Sequence, residues 1–587
     1  MAGERLRTLW PGLVVEENNL SQTISGLRRA LGDEPPGSRY IQTVARRGFR
    51  FIAAVTVLPD TDPVDSIDPI SPIGKAPSRR WRRLVLAGGV AAAIAGAAGW
   101  AWRRAATATV PATAPGATLA VLPFKPLAAD NRDALLEVGM ADSLITRLST
   151  VPGLVVRSVG SVRRYAGMEQ DPVRAARDLD VAWIVDGSLQ RRGDQLRVTA
   201  RLLRAADGSA AWSGSFDEKF TGVFDMQDLI SERVLQALAP RLQAGAAAAA
   251  GGPRSHVGGT RNTDAYQLYL AATRHFQTRR GDGLRKSIAL FNQALTADPA
   301  YALAYVGLAE ALRETLLAAD ARPADVVEPA RMAVQRALAL APNLAEAVSE
   351  KGFSLYYFEF DWPGAEREFR RALAFNPNAA MAHFGLAQLL LTQDRPDEGT
   401  THLRLARELD PMSPFLNTLE AGYLWAYGRR DEARTRLDRA FDIAPDFYLA
   451  HRTRAKMHLA DGQPDLAIAA LRRAVAQADG NSRPSALLGM FLARTGQRDA
   501  ARAILDQLLE RARTAFVPPL SLAVLHAALG ENALALDALE QAVAARDPQV
   551  VFLKDDPRWS GLRREPRFLA LMKTLKLDGY GPGLSPI

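Results

Sequence analysis

The stretch WPGAEREFRRALAFNPNAAMAHFGLAQLLLTQDRPDEGTTHLRLARELDP, residues 362–411, decides the fold of this chain. It contains one pattern twice: a small residue, a bulky apolar residue four positions later, an alanine three further on, and an Asn-Pro or Asp-Pro pair. The first copy begins at Ala365 and ends at Pro377, and the second ends 34 residues later at Pro411. A fixed period of this length predicts stacked copies of one helical unit.

The period continues in both directions. Prolines at the ends of the units are separated by 43, 35, 34 and 34 residues, namely Pro299, Pro342, Pro377, Pro411 and Pro445. The pattern resembles the tetratricopeptide repeat, a helix-turn-helix unit. We expect an α-solenoid of about eight repeats over 263–545, one of them lengthened around 316–326, followed by a capping helix and tail over 546–587.

Stacked helix pairs form a superhelix with a concave groove. We expect this groove to bind an unknown protein or peptide. The alternative is a structural solenoid that only shapes or dimerises the assembly. One aromatic cluster either lines the groove or lies in the core, which is the more usual place for aromatics at helical spacing: Tyr356, Tyr357, Phe358 and Trp362.

Residues 118–242 mix the two kinds of secondary structure. TLAVLPF (118–124), LVVRSV (154–159), VAWIVDGSLQ (181–190) and QLRVTARLLRA (195–205) have the patterns of strands, and 139–151 and 224–238 those of helices. We predict a small α/β module with a mixed sheet. The LAVLPF strand and the DGSLQRRGDQLRVTARLLRAADGSAAWSGSFDE block resemble the TolB N-terminal-like (FlgO-like) domain, which implies a non-catalytic binding or assembly role. Residues 103–117 and 243–262 are predicted linkers.

An uncharged segment lies further towards the N-terminus. Residues 84–102 carry no charge and are long enough to cross a bilayer as a helix. Arginines flank it, with four before it and two after, so we predict a single transmembrane helix in the inner membrane, N-terminus cytoplasmic and C-terminus periplasmic. A buried Ala-rich helix is the alternative. Small residues four apart permit a homodimer through this helix: Gly88, Ala92 and Gly96. Residues 54–83 form a Pro/Asp linker and Arg cluster.

The first 53 residues have the features of a DNA-binding segment. EENNLSQTISGLRRALGD (16–33) predicts an amphipathic helix, and YIQTV (40–44) and FRFIA (49–53) predict a hairpin. Amides and arginines can contact base edges and phosphates, although a solvated helix beside a hairpin explains the same composition. The span LWPGLVVEENNLSQTISGLRRALGD...YIQTVARRGFRFIA resembles the C-terminal half of an OmpR/PhoB-type winged helix-turn-helix, particularly in CadC-like membrane-anchored regulators.

That resemblance implies binding to double-stranded promoter DNA. The residues it assigns to this role lie in the helix and the wing: Asn18, Asn19, Ser21, Gln22, Ser25, Arg28, Arg29, Thr43, Arg46 and Arg47. The family domain begins with a sheet and a first helix that this sequence lacks before Met1. We therefore expect 1–53 to be a partial winged helix and the true start to lie upstream.

The composition excludes several other classes of protein. The chain has 587 residues, 48% of them apolar and 23% charged, which predicts several folded domains. No cysteine is present, so disulfides and thiolate metal sites are excluded. None of the seven histidines has metal-ligand spacing, and we interpret His451 and His458 as surface residues. We expect no catalytic site, cofactor or metal. The function predicted is a membrane-anchored transcriptional regulator; the alternative is a membrane-anchored periplasmic repeat scaffold with a non-functional winged-helix remnant.

Overall fold

The structure is a computed structural model, and it divides into two compact units, 1–108 and 109–587. It describes residues 41–44, 48–51, 117–126, 134–151, 153–166, 171–219, 223–241, 258–554 and 556–578. In the first unit the described residues form an antiparallel hairpin of β1 (Ile41–Val44) and β2 (Gly48–Phe51), in which Ile41 pairs with Phe51 and Val44 with Gly48. These strands agree with the predicted hairpin.

The second unit begins with a mixed sheet of β3 (Ala117–Val121), β4 (Lys125–Pro126), β5 (Leu154–Val156), β6 (Trp183–Arg192), β7 (Gln195–Arg204) and β8 (Ala210–Lys219). The strand order is β5-β3-β6-β7-β8, with β4 beside β6. β3 runs parallel to both of its neighbours, whereas β6, β7 and β8 form an antiparallel meander. Gly193 and Gly208 adopt positive φ in the two tight turns of that meander, where a glycine costs least.

Helices cover the sheet and complete a small α/β core. α1 (Ala134–Leu148) contacts β3 and β5, and α4 (Val223–Leu238) contacts β7 and β8. Two shorter helices, α2 (Val159–Val162) and α3 (Pro172–Asp178), follow β5 along the chain. The predicted α/β module is thereby confirmed over 117–219.

The remainder of the described chain is helical, and it confirms the predicted mostly α fold with a tetratricopeptide-like solenoid. Between Thr263 and Ala544 the described residues form eight antiparallel helix pairs. They are α5 (Thr263–Phe276) with α6 (Gly281–Ala297), α7 (Ala302–Ala318) with α8 (Pro323–Leu340), α9 (Ala345–Ser354) with α10 (Trp362–Phe375), α11 (Ala380–Thr392) with α12 (Pro396–Leu409), α13 (Pro414–Ala426) with α14 (Arg430–Ile443), α15 (Tyr448–Ala460) with α16 (Pro464–Gln477), α17 (Ser482–Arg494) with α18 (Arg498–Ala512) and α19 (Pro519–Ala528) with α20 (Asn532–Ala544). Two 3₁₀ turns, Pro548–Phe552 and Pro557–Trp559, and α21 (Pro566–Thr574) follow.

In two repeats the bulky residue of the pattern packs against a glycine of the following helix. A Cβ added at Gly385 would lie 2.3 Å from Cε1 of Phe369, and one added at Gly307 would lie 2.3 Å from Cζ of Phe291. The aromatic ring of one helix therefore fills the space over a glycine on the next helix. Close packing of this kind fixes the distance between neighbouring helices.

The superhelix is closed by contacts between distant repeats. Asp320, just after α7, accepts hydrogen bonds from the backbone N–H of Ser482 (2.9 Å) and from Arg511 Nη2 (3.1 Å). Trp362 Nε1 donates to the carbonyl oxygens of Leu575 (3.1 Å) and Lys576 (3.2 Å), after α21. The aromatic cluster over 356–362 is buried, so the core interpretation is confirmed for Tyr356, Tyr357, Phe358 and Trp362.

Helix length and hydropathy bear on the membrane prediction. Among the described residues, no helix combines the length and apolar character needed to cross a membrane. The predicted span, 84–102, lies outside the described residues.

Candidate functional site

A groove of about 860 Å³ lies between the α/β module and the repeats. One wall comes from the α/β module, through α1 and the segment that follows β5. The other walls come from the turns and first helices of successive repeats. The α/β module therefore lies along the groove in which we expected a partner to bind.

The module is held by the turns that end the repeats. Asn378 Nδ2 lies 2.7 Å from the carbonyl oxygen of Ser149 and 2.8 Å from that of Leu154. Ser161 Oγ donates to Asp410 Oδ1 at 2.6 Å and accepts from the backbone N–H of Met412 at 3.2 Å. Asp410 occupies the position before a proline by which the repeats were recognised, so the repeat pattern also marks the docking surface.

Arg157 connects three segments at this contact. Its guanidinium donates to the carbonyl oxygens of Leu179 (2.9 Å) and Asp180 (2.6 Å) within the module, and to that of Glu408 at the end of α12. The residue is 6% exposed. Burial lowers the pKa of Arg157, and the nearby Asp180 opposes that effect.

The first repeat packs directly on the module. Tyr266 on α5 makes a hydrogen bond of 2.9 Å between its hydroxyl and Ser143 Oγ on α1, and its ring contacts Phe224 edge-on at 5.4 Å. A Cβ at Gly139 would lie 2.4 Å from Cδ1 of Leu270, so the absence of a side chain there lets α5 approach α1. The module and the first repeat consequently share one hydrophobic core.

A cavity of about 480 Å³ lies between the module and the first three repeats. Burial raises the pKa of Asp142 in its wall to about 6, and the Arg163 guanidinium opposes this rise. Burial also raises the pKa of Glu346. The volume of this cavity is typical of sites for small molecules, and the acidic and aromatic groups in its wall can hold a small organic cation. The aromatic and amide groups of the wall include Tyr266, Tyr269, Tyr301 and Asn376.

Further buried charges lie on the first helices of the second and third repeats. Arg313 Nε and Nη2 each donate to Glu350 at 3.0 Å. Glu310 lines the same groove, and burial together with the charge of Glu350 raises its pKa to about 7. Arg279 lies 2.8 Å from Glu314 and 4.1 Å from the ring centroid of Phe415. This half of the groove is therefore rich in carboxylates.

Two histidines that are 19 residues apart face each other inside the fourth repeat. His383 Nδ1 lies 2.8 Å from His402 Nδ1, and His383 Nε2 lies 3.1 Å from the carbonyl oxygen of Pro377. Because Nε2 must donate to that carbonyl, His383 accepts through Nδ1 and His402 donates. Burial lowers the pKa of both imidazoles to about 4.

The interpretation of His451 as a surface residue is wrong. His451 is buried, with Nε2 lying 2.9 Å from the carbonyl oxygen of Pro445 and its ring against Phe441; it is not a surface residue. His458 is half-buried and contacts Gln463. In the part of the chain that the structure describes, no group of three or more histidines, aspartates and glutamates is arranged to hold a metal ion.

Most of the predicted DNA-binding residues lie outside the described residues. Thr43 lies in β1, opposite Phe49. The remaining nine lie outside the described residues: Asn18, Asn19, Ser21, Gln22, Ser25, Arg28, Arg29, Arg46 and Arg47. No local sequence pattern marks Asp142, Ser161 or Asn378 as site residues. The available signal was the polar residue before some of the repeat prolines, since Asn376 and Asp410 both contact the module.

Two parts of the chain match known protein families. Residues 115–233 match the family described as HilA/YgeH-like transcriptional regulator, second domain. Residues 354–414, 418–482 and 458–515 match tetratricopeptide repeat families. The chain thus contains a transcriptional-regulator-like domain followed by tetratricopeptide repeats.

One curated relative and several solved structures are also similar. "Putative adenylate cyclase 3" of Rhizobium meliloti (strain 1021) is 26% identical over 191 residues, and the match spans about a third of each chain, 32% of both. The APC/C hetero-tetramer Cut9–Hcn1 has 15% identity and a TM-score of 0.38, covering 60% of this chain and 59% of that one. YrrB, described as a TPR protein with an unusual peptide-binding site, has 22% identity and a TM-score of 0.20, covering 32% and 90%.

Proposed function

We propose that this chain is a membrane-anchored transcriptional regulator of CadC-like organisation. Residues 1–53 bind promoter DNA as part of an OmpR/PhoB-type winged helix, and 84–102 anchor the chain in the inner membrane. The α/β module and the repeats lie in the periplasm. The observation that carries the proposal is the match of 115–233 to a transcriptional-regulator domain, directly before the repeats and after the basic N-terminal segment.

The region from 117 to 578 serves as the sensor in this proposal. The module keeps the binding or assembly role that its resemblance to TolB N-terminal-like domains implies. A ligand in the cavity beside Asp142, or a protein in the groove, changes how the module docks on the turns at Asn378 and Asp410. That change alters the association of two copies, and two linked DNA-binding domains then occupy adjacent half-sites with higher avidity.

The first experiment is DNA capture from the native host with a tag at the C-terminus. A few sharp peaks with a shared motif are expected. Replacing Arg46 and Arg47 together with alanine is expected to weaken binding and flatten its salt dependence, because fewer phosphates are neutralised. The matched control replaces Arg563 and Arg564, two exposed arginines that follow the last repeat. This change is expected to leave both the DNA affinity and its salt dependence unchanged. An unchanged salt slope in the Arg46/Arg47 variant rejects these residues as phosphate contacts.

We also propose that the chain is not an enzyme. The likeness to the adenylate cyclase relative covers only 32% of each chain, which is consistent with a shared accessory region beside different output domains. Purified full-length protein is expected to form no cyclic AMP from ATP. Formation of cyclic AMP above the level of a boiled sample would refute this part of the proposal.

The second candidate is a membrane-anchored periplasmic scaffold with a non-functional winged-helix remnant. The docking of the module on the repeats favours a scaffold as well, because a rigid pair of domains presents a defined surface. Absence of any enriched DNA, with the protein present in the membrane fraction, would support the scaffold. A fusion after Ile587 to a reporter active only in the periplasm tests the location of the C-terminus in both cases.

A further inference from the structure

The cavity of about 480 Å³ beside Asp142 has walls from both the α/β module and the repeats. It has room for about fifteen water-sized groups, which is enough for a small organic molecule. Helix α1 of the module contributes Asp142 and Thr146, and α9 of the third repeat contributes Glu346. The same three residues line the larger groove, so the cavity adjoins that groove. A ligand in the cavity therefore contacts the module and the repeats at once.

The charged side chains in the wall of this cavity are Asp142, Glu346 and Arg147. Arg147 forms an ion pair with Asp228, so its charge is balanced within the module. Neither Asp142 nor Glu346 forms an ion pair with another described residue. The wall of the cavity consequently carries a surplus of negative charge.

Arg163 offsets part of the charge of Asp142. It lies near enough to oppose the effect of burial, which raises the pKa of Asp142. Arg163 is not in the wall of the cavity, however, and its Nη1 donates to Gln277 Oε1. The space in front of the Asp142 carboxylate is therefore left for a ligand.

Glu346 has no such counter-charge. Its carboxylate accepts from the Asn376 side chain and from its own backbone N–H, and burial raises its pKa. No cation among the described residues lies near enough to lower that pKa. With Asp142 and Glu346 negative and Arg163 positive, one negative charge is left over at the cavity. Such a charge is costly away from water, and a bound cation removes that cost.

Aromatic rings supply most of the remaining wall, from Phe224, Tyr266, Tyr269, Tyr301 and Phe375. The ring centroids of Tyr269 and Tyr301 lie 5.1 Å apart. Burial raises the pKa of both phenols well above the usual range, so both rings stay neutral. The faces of neutral aromatic rings attract cations and pack against apolar groups.

We propose that this cavity binds an organic ammonium ion with a single positive charge. The N–H groups of the ligand donate to Asp142 and Glu346, and its apolar body lies against the tyrosine rings. The ligand joins α1 to α9 and thereby holds the module against the third repeat. The inference rests on the proposed sensor role of the region from 117 to 578, but it is independent of DNA binding.

Isothermal titration calorimetry of the full-length protein in lipid nanodiscs at neutral pH tests the site. The probes are phenethylamine, phenethyltrimethylammonium and the neutral phenethyl alcohol. We expect saturable binding of the amine at millimolar concentration or below. The trimethylammonium probe is expected to bind more weakly because it has no N–H donor, and the alcohol because it has no charge.

Asp142→Asn and Glu346→Gln are each expected to weaken amine binding by at least about tenfold. The matched control is Asp506→Asn, an exposed change on α18 that leaves the affinity unchanged. Without ligand, Asp142→Asn is expected to raise the unfolding temperature at neutral pH, because it removes a carboxylate that lacks an ion-pair partner. This readout separates a lost binding group from a variant that fails to fold.

Hydrogen exchange of the wild-type protein tests the bridging role without any substitution. Saturating phenethylamine is expected to slow exchange over both α1 and α9, because the ligand contacts both helices. Unchanged exchange in either helix would contradict the bridge.

Three further results would overturn the inference: no saturable amine binding, equal affinity for either of the other probes, or full affinity in Asp142→Asn. Amine binding with no captured DNA would remove the regulator proposal and keep the ammonium site. Captured DNA with no amine binding would do the reverse.

Discussion

Ser161 donates a hydrogen bond of 2.6 Å to Asp410, although 249 residues separate them along the chain. The contact joins the α/β module to the turn after the fourth repeat. Gly160 beside it has room for no larger residue without adjustment, since a Cβ there would lie 3.1 Å from Asp410 Oδ2. The docking of the module therefore depends on a small number of polar contacts with little tolerance in distance.

Replacing Asp410 with alanine is expected to loosen this docking. The change leaves the Ser161 hydroxyl without its acceptor in a buried place, which costs about 1–3 kcal/mol. Hydrogen exchange measured by mass spectrometry should become faster over residues 154–162. Asp410→Asn is the matched control, because its amide oxygen still accepts from Ser161 and protection should be largely kept. Equal exchange in both variants would show that this hydrogen bond does not hold the module.

The raised pKa of Asp142 predicts a pH dependence of stability. In the folded state the carboxyl of Asp142 has a pKa of about 6, whereas the ordinary pKa of an aspartate, which applies to the unfolded chain, is 3.8. The free energy of unfolding therefore falls as the pH rises from about 4 to about 6 and stays lower above that range. Asp142→Asn is expected to raise the unfolding temperature at about pH 8 and to change it little at about pH 4.

Calorimetry at these two pH values is the measurement, and Asp506→Asn, an exposed change on α18, is the control. A Tm difference from the wild type that is the same at both pH values would contradict the assigned pKa of Asp142.

The paired histidines predict the opposite trend. The pKa of His383 and that of His402 are lowered to about 4 from 6.5, so the folded state binds fewer protons than the unfolded state between these values. Stability contributed by the neutral pair is present above about pH 6.5 and is lost as the pH falls towards 4. His383→Gln and His402→Gln are each expected to make the midpoint of urea unfolding less dependent on pH across this range. His458→Gln, outside the pair, should retain the wild-type slope, and a steep slope in all three variants would disprove the assignment.

Close packing over Gly385 gives a prediction about the solenoid itself. A methyl group there would lie 2.3 Å from Cε1 of Phe369 and 3.0 Å from Cε1 of Phe353, and two rigid rings cannot both move aside. Gly385→Ala is expected to reduce the free energy of unfolding by about 1–3 kcal/mol. Gly561→Ala is the matched control, because no atom lies within 4 Å of its added Cβ. Chemical denaturation of both variants tests this, and equal stability would contradict the packing argument.

The repeats could be predicted because their determinants are local. Ala365, Phe369 and Pro377 lie within one helix and its turn, and the same pattern recurs at 34 residues. The docking of the module could not be predicted in this way, because it joins Ser149 to Asn378 and Ser161 to Asp410 across more than 200 residues. No local pattern carries such a contact.

The edge strand of the sheet, β8, could not be predicted from its local sequence pattern either. β8 was not among the predicted strands, because its residues are mostly exposed and its apolar alternation is weak. Only Trp212 and Phe216 supply large apolar side chains, and they close over Gly214 between them. An edge strand buries little surface, so its hydropathy pattern is weak even though its hydrogen bonds to β7 are regular.

The closure at Trp362 and Asp320 makes this solenoid different from an open array. In an open array each repeat contacts only its neighbours, so units can be gained or lost one at a time. Here the indole of Trp362 bonds to carbonyls beyond α21, and Asp320 bonds to the seventh repeat. Insertion or deletion of a single repeat between Trp362 and Ser482 would disrupt both junctions at once. Evolution of this region is thereby restricted to changes that keep the number of intervening repeats constant.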